Sequence, residues 1–406
     1  VLNYLKLYID RNKRREGSMN KLKIAFYTDT YLPAVDGVVT SILGFKKELE
    51  RRGHEVYIFA SGDAKSKKIY SNSHVYIVPG ISFKPYPQYK LAFFPYHTVL
   101  KLQKAKIEIM HAQTPFFMGF TALTIARVMK LPIVGSFHTF INNRKILEEY
   151  YPKNRLLKKF TGKYLWGYTK FFYRRCDFTI APSNTVKEIL ERNKIPNVVV
   201  VPNGVDITKF NTKVDGEAIK KKYNLKEHVV LYVGRISKEK RIEVMLKAAK
   251  LLSKKRSDIS YLIVGHGPAM DHYKMLAVRL GIADKVKFAG FVSDQELPSY
   301  YAASDMLCMP STFETQGVVA IEAMACGKPV VGANFLALKE IIKNGKTGEK
   351  FKPNDYKACA RKIEKVLNNS EAYKRNTVAL AKEFSIPNAT DKLLDVYNKL
   401  LEKAIY

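Results

Sequence analysis

Acid is scarce in this chain. Of its 406 residues, 69 are Lys or Arg and 37 are Asp or Glu, a formal net charge of +32 with a pI near 9.7. Such a deficit favours an anionic partner: nucleic acid, an acidic membrane surface or a phosphorylated substrate. Cysteine is scarcer. Cys176, Cys308, Cys326 and Cys359 are scattered, and no two form a Cys-x-x-Cys pair. Neither a zinc site nor a disulfide framework is therefore indicated, and a reducing cytoplasm fits. Cys326 lies in a helix-like run and reads as a small core residue. No apolar run approaches about 18 residues, so no transmembrane helix is expected. Low-complexity tracts and short-period repeats are also missing. Residues 1–18, ahead of Met19, have no signal-peptide pattern and are assigned no function.

What is present is a long alternation of apolar strands and helices. With 47% hydrophobic residues, the chain can fill two or three domains. KLKIAFYTDT (21–30) opens as a strand. The helix-like SILGFKKELERRG follows and ends at Gly53, and HEVYIFA (54–60) is the next strand. IEIMHA (107–112), LPIVGSFH (131–138), DFTIAPS (177–183) and VVVVPNG (198–204) continue the series. A second series holds HVVLYVGR (228–235), SYLIVG (260–265), KVKFAGF (285–291), DMLCMPS (305–311) and KPVVGA (328–333), with helices between. Strands this apolar are buried on both faces, which means parallel sheets covered by helices. The expectation is an α/β chain of two doubly wound, Rossmann-like halves joined near Asn203–Lys213. The segment from Asp391 to Tyr406, after Pro387, reads as an amphipathic helix.

In open parallel sheets, ligands bind beyond the carboxyl ends of the strands. The loop VGRISKEKR places Arg235 directly after a strand and Lys240 five residues on. Two cations there suit a diphosphate, though a solvated basic loop reads the same way. Gly37, preceding a helix, would let backbone amides approach a phosphate; an ordinary turn glycine is equally consistent. Gly265-x-Gly267 follows a strand, but the third fingerprint position is Met270, so a nicotinamide enzyme is disfavoured. His138 ends a strand and faces the ligand side; a hydrogen-bonded structural histidine is the competing reading. His111 also ends a strand and ranks lower. In TFETQGVVAIEAMACGKPVV (312–331), Glu314 precedes a helix whose first amides, from Thr315 to Val318, point at an anion or at hydroxyls. Glu322 lies roughly 6 Å further along the axis, among small apolar residues. There it either steadies the helix dipole or packs closely around a ligand.

Taken together, these motifs resemble the retaining glycosyltransferases of family 4, with the GT-B fold of two Rossmann-like domains facing across a cleft. The resemblance runs from Met19 to the end. It rests on Glu314-x7-Glu322, GRISKEK around Arg235 and Lys240, VPNGVD (201–206) and TDTYLPAVDGV. It implies an N-terminal acceptor-side domain of residues 19–205 plus 385–406 and a donor-binding domain of residues 206–384. It also implies roles. Arg235 and Lys240 hold the diphosphate of a nucleotide sugar, and Gly37 meets the distal phosphate. Glu314, with the amides of Gln316, Gly317 and Val318 beside Thr315, binds the sugar. Glu322 takes the ribose, and the backbone near Val292 the base. His138 lies by the reacting carbon through its carbonyl or ring. One departure is visible, because the family's Lys is usually followed by Gly and here Arg241 stands there. Retention by front-face attack is implied, with Arg235, Lys240, His138 and Glu314 as the catalytic set. No cofactor is implied, the nucleotide sugar being a substrate. No Asp-x-Asp metal motif is present, in keeping with metal-independent catalysis.

The acceptor is read from charge and aromatics. Between Phe140 and Arg175 there are ten Lys or Arg, two acids and ten aromatics. Arg155, Lys158, Lys159 and Lys163 beside Trp166 describe a surface for an anionic leaflet, and FKPYPQYKLAFFPYH (83–97) adds a second such segment. A solvated helix with a buried aromatic face is the alternative. Family resemblance favours glycolipid-forming members, such as diacylglycerol glucosyltransferases and phosphatidylinositol mannosyltransferases. The expectation is therefore a lipid acceptor and a peripheral position on the cytoplasmic face of the cell membrane. Two rivals stand beside it: a family member with a soluble acceptor, and a basic nucleic-acid-binding protein. The second has no recognisable binding motif, and its aromatics cluster with apolar residues.

Overall fold

The computed structural model describes residues 21–34, 36–72, 74–83, 86–92, 98–138, 140 and 155–403. The chain divides into two compact units. One comprises Val1–Ser136, Arg175–Asp177 and Tyr397–Tyr406, and the other Phe137–Arg174 and Phe178–Val396. Among the described residues, the strands are β1 (Lys23–Thr28), β2 (Glu55–Gly62), β3 (Val75–Pro79), β4 (Ile81–Phe83), β5 (Tyr86–Leu91), β6 (Ile109–Ala112), β7 (Ile133–Ser136), β8 (Phe178–Ala181) and β9 (Val198–Val200). They continue with β10 (His228–Val233), β11 (Ile259–Val264), β12 (Val286–Gly290), β13 (Met306–Met309), β14 (Val330–Ala333) and β15 (Gly348–Phe351). A seven-stranded sheet runs β3-β2-β1-β6-β7-β8-β9, and a six-stranded sheet runs β12-β11-β10-β13-β14-β15. β4 and β5 form a separate antiparallel hairpin.

Both large sheets reverse their order at the first strand, which is the switch point where ligand crevices open. β1 pairs in parallel with β2 and β6, and β10 with β11 and β13. The α/β expectation therefore holds, and for the reason read from the sequence. On β10, Val230 and Tyr232 enter one apolar core while Val229, Leu231 and Val233 enter another. Side chains alternate across a strand, so a continuous apolar run is what a sheet covered on both faces requires. In the first unit, Ile24 to Tyr27 of β1 are fully buried.

The departures are local. β3, β4, β5 and β15 were not expected from the sequence; GEKF of β15 is half polar and short, as an outer strand can be. The last helix spans Ile386–Lys403 and so begins before Pro387. Proline is tolerated in a first turn, where its missing N–H has no intrahelical role. The glycines of Gly265-x-Gly267 are explained by backbone approach. Gly234 N–H bonds to Val264 O (3.0 Å) and Ile236 N–H to His266 O (3.0 Å), drawing the loops after β10 and β11 together. A Cβ at Gly265 would lie 1.9 Å from Gly234 O, and one at Gly267 would lie 2.3 Å from Ile236 O. Gly265 also has φ +133°.

Gly265→Ala is accordingly expected to destabilise the protein by about 2–3 kcal/mol through overpacking and backbone strain. A urea-unfolding midpoint unchanged by this substitution would contradict the close-approach account.

Candidate active site

The pairing of β10 with β13, Leu231 opposite Leu307, sends two loops out side by side. The loop after β10 carries Arg235, whose carbonyl accepts from the Tyr232 hydroxyl (3.0 Å), and then a short turn Lys238–Lys240. The loop after β13 carries Glu314 and ends at Gly317, whose φ of +80° starts the helix Val318–Ala325. Lys240 Nζ lies 2.7 Å from Glu314 Oε1, and the two side chains are only 20% and 13% exposed. Shielding of that order makes the pair stronger than a surface ion pair and makes loss of either partner costly.

The Glu314 loop is anchored from several sides within the same unit. Thr315 Oγ1 donates to the His138 carbonyl (3.0 Å), and Ser183 Oγ donates to the Thr315 carbonyl (2.7 Å). Gln316, almost wholly buried, makes two bonds to one residue: Asn203 N–H donates to its Oε1 (2.7 Å), and its Nε2 donates to Asn203 O (2.8 Å). The side chains of Thr315 and Gln316 are thus anchors, a use that the sequence did not indicate. Burial holds the His138 imidazole down to about 4, so at neutral pH the ring carries no charge.

Glu322 sits in the buried helix Val318–Ala325. Its Oε2 accepts from the Tyr301 hydroxyl at 2.7 Å. Burial pushes its pKa up from 4.5 to about 7; the Tyr301 hydrogen bond opposes this, Asp294 reinforces it and Lys209 opposes it weakly. Lys209 is itself ion-paired with Asp294. Asp294 lies two residues after Val292 in the loop after β12, so a charge from that loop bears on Glu322. Lys209, Asp294 and Tyr301 went unnoticed in the sequence. They are remote from Glu322 along the chain and match no local pattern.

In the first unit, Asp36 caps the helix Gly37–Arg51 by accepting from Val38 and Val39 N–H (2.9 Å each). A Cβ at Gly37 would meet nothing within 4 Å, so packing does not demand glycine there. Asp29, at the end of β1, accepts from the Thr114 hydroxyl (2.6 Å) and Met118 N–H (3.0 Å) and so caps the helix Phe117–Val128 from a distance. Burial pushes its pKa up to about 7 despite these bonds. His111 is a satisfied core histidine: Nδ1 bonds to the Tyr397 hydroxyl (2.7 Å) and Nε2 to Ser136 Oγ (2.8 Å).

The side chains of Arg155, Lys158, Lys159 and Lys163 lie outside the described residues, as do most of 83–97 and all of 1–18. Their backbone region does form the helix Arg155–Tyr173, in which Trp166 is half-buried while Tyr164 and Phe171 are 73% and 46% exposed. Among the described residues, no helix is long and apolar enough to cross a membrane. One group there has metal-ligand spacing, Glu227, His228 and Asp258, with ligand atoms within 4.8 Å of one another. It lies at the amino ends of β10 and β11, away from the loops above. Arg256 already holds both Asp258 oxygens (2.6 and 3.0 Å).

Residues 35–209 match glycosyltransferase family 4, and residues 215–380 match glycosyl transferases group 1. An alpha-monoglucosyldiacylglycerol synthase from Streptococcus pneumoniae is 32% identical over 329 residues, 79% of this chain and 73% of that protein. The chain belongs to glycosyltransferase family 4. A second alpha-monoglucosyldiacylglycerol synthase, from Acholeplasma laidlawii, is 29% identical to this family 4 chain over 82% of it and 86% of the relative. The solved Anabaena Alr3699/HepE, in complex with UDP and glucose, shares the fold (TM-score 0.72, 21% identity, 93% of this chain and 100% of that one). The chain therefore has the GT-B fold of its family and is a glycosyltransferase. Arg241, standing where the family usually has Gly, adopts φ +57°. That left-handed conformation costs a non-glycine residue about 1 kcal/mol, and an ion pair to Glu243 (3.1 Å) helps to hold it there.

Glu322 keeps its proton in the folded chain at pH values where the unfolded chain has lost it. The contribution of Glu322 to stability therefore falls as pH rises from about 4.5 to about 7, by up to about 3 kcal/mol, and levels off above; Asp29 and Asp36 act in the same direction, and the buried neutral His138 in the opposite one. Glu322→Gln removes one of these contributions and leaves the others. Measured by urea unfolding, the change in stability from about pH 5 to about pH 8 is expected to be more favourable in the variant than in the parent chain. The same pH dependence in both would contradict the assigned protonation.

Proposed function

We propose that this glycosyltransferase moves a hexosyl or N-acetylhexosaminyl unit from a nucleotide-diphosphate sugar, UDP-linked, to a membrane lipid at the cytoplasmic face, forming an alpha-glycoside with retention. The observation that carries the acceptor is the similarity, over most of the chain, to two alpha-monoglucosyldiacylglycerol synthases. Support for the donor comes from the paired loops after β10 and β13 and from a fold neighbour bound to UDP and glucose.

In this reading, Arg235 and Lys240 hold the diphosphate and stabilise the charge that builds on the leaving oxygen, without a metal. Lys240 joins that function to the sugar, because it already bonds to Glu314. Glu314 and the amides of Gln316, Gly317 and Val318 hold sugar hydroxyls, so that the sugar passes through its oxocarbenium-like state in reactive geometry. Glu322 takes the ribose and the backbone near Val292 the base. Gly37 leaves room for the distal phosphate. The uncharged His138 lies by the reacting carbon. We assign acceptor-side work to residues 19–205 plus 385–406 and donor binding to 206–384. Exposed Tyr164 and Phe171, with Trp166 on the same helix, suit an interfacial surface.

Glu314→Gln is expected to lower turnover by about a hundredfold while costing only about 1–2 kcal/mol of unfolding free energy, since the amide oxygen can still accept from Lys240. Full activity in this variant would remove Glu314 from the site. A thermal-shift screen of UDP-glucose, UDP-galactose, UDP-N-acetylglucosamine and GDP-mannose identifies the donor by the stabilisation it confers. Sedimentation with liposomes tests the acceptor side: binding is expected to rise with anionic lipid. Equal recovery with and without it, together with transfer to a soluble sugar, would favour the soluble-acceptor reading.

A further inference from the structure

The loop that carries Glu314 is closed into a ring of hydrogen bonds, and one carboxylate outside the family motif completes it. Glu314 O accepts from Ala337 N–H (3.3 Å) at the start of the helix Leu338–Ile341. From that helix, Glu340 reaches the first turn of the helix Asn184–Arg192. Its Oε2 accepts from Asn184 N–H (3.1 Å) and Nδ2 (3.3 Å), and its Oε1 accepts from Thr185 N–H and Oγ1. Ser183 caps the same helix, accepting from Val186 N–H (3.4 Å), and donates back to Thr315 O at 2.7 Å. The circuit therefore runs Glu314, Ala337, Glu340, Thr185, Ser183, Thr315. Thr315 then donates to the His138 carbonyl.

Helix Asn184–Arg192 presents N–H groups that its own turns cannot satisfy, and a carboxylate at such an end is favoured by both hydrogen bonding and the helix dipole. Four donors converge on Glu340 alone, which makes it the strongest joint in the ring. None of these bonds is made by Arg235, Lys240 or Glu322. The ring can therefore set where Glu314 and Thr315 stand relative to His138, and it meets the groups assigned to the nucleotide only through the Lys240–Glu314 bond.

We propose that Glu340 is a positioning residue for sugar transfer. It holds the Glu314–Thr315 peptide and the His138 carbonyl in one fixed arrangement, through the end of helix Asn184–Arg192. A displacement of about 1 Å in such an arrangement is enough to cost about a hundredfold in rate. The inference rests on the donor-site reading above, and its test separates the two.

UDP binding by calorimetry and turnover of UDP-glucose are measured for the parent chain, Glu340→Ala, Glu340→Gln, Thr315→Val and the Glu340→Ala/Thr315→Val double variant. Glu340→Ala is expected to lower kcat about ten- to a hundredfold, with UDP affinity changed less than about threefold. Glu340→Gln, which keeps a carbonyl acceptor, is expected to recover part of the rate. The double variant is expected to lose less than the product of the single losses, since both break one ring. Unchanged kcat in Glu340→Ala would overturn the proposal. So would a parallel loss of kcat, UDP affinity and melting temperature in both Glu340 variants, or strict multiplicativity in the double variant. A parent chain that binds neither UDP nor any other nucleoside diphosphate refutes the donor reading instead.

Discussion

Everything assigned to chemistry here depends on one constraint: β10 and β13 must lie side by side and parallel although some 70 residues separate them. Parallel neighbours present their carboxyl ends at the same edge. Whatever the chain writes after each strand is therefore brought together there. Arg235 and Lys240 follow one strand, and Glu314 follows the other. Their encounter, expressed in the Lys240–Glu314 bond, is a consequence of strand order before it is a property of either loop.

The same constraint shapes the packing. A strand buried on both faces can carry few polar groups, so polar chemistry is displaced to strand ends and helix starts. The exceptions show what it takes to keep a polar group inside. Glu322 enters the core helix only with Tyr301 as donor, and even so burial favours its protonated form. Asp29 is held by Thr114 and a helix N-terminus. Glu349, at 0% exposure on β15, is held by Lys362 and Lys365, which keep its pKa below the ordinary value. Each buried acid has a specific partner, as desolvation demands.

Family membership and geometry bear on different parts of the function. The relatives speak to the kind of reaction and, as a proposal, to the acceptor. The geometry speaks to how a donor would be held. It adds a detail that a motif comparison passes over: in this chain Thr315 and Gln316 spend their side chains on His138 and Asn203. The Glu-Thr-Gln-Gly sequence thus describes an anchored loop as much as a binding one.

Much was legible in the sequence because its signals are local. Apolar runs bounded by Gly, Pro and Asp marked most of the strands of both large sheets, since two-sided burial demands such runs. Glu314-x7-Glu322 and the Arg235–Lys240 loop were visible because motif residues at strand ends stand out against an apolar background. Short or half-polar strands such as β15 were not visible, having no run to detect. Nor were the partners that give the site its form: Tyr301 and Lys209 for Glu322, Ser183, Asn203 and Glu340 for the loop. Each is an ordinary residue in its own neighbourhood. A hydrogen bond between positions 155 or 177 residues apart leaves no periodicity and no local composition to read. The sequence alone determined most of the buried segments that would be strands and which residues could carry charge at their ends. Only the tertiary structure decided which of those ends would meet, because strand order is set by how the covered sheet closes its core.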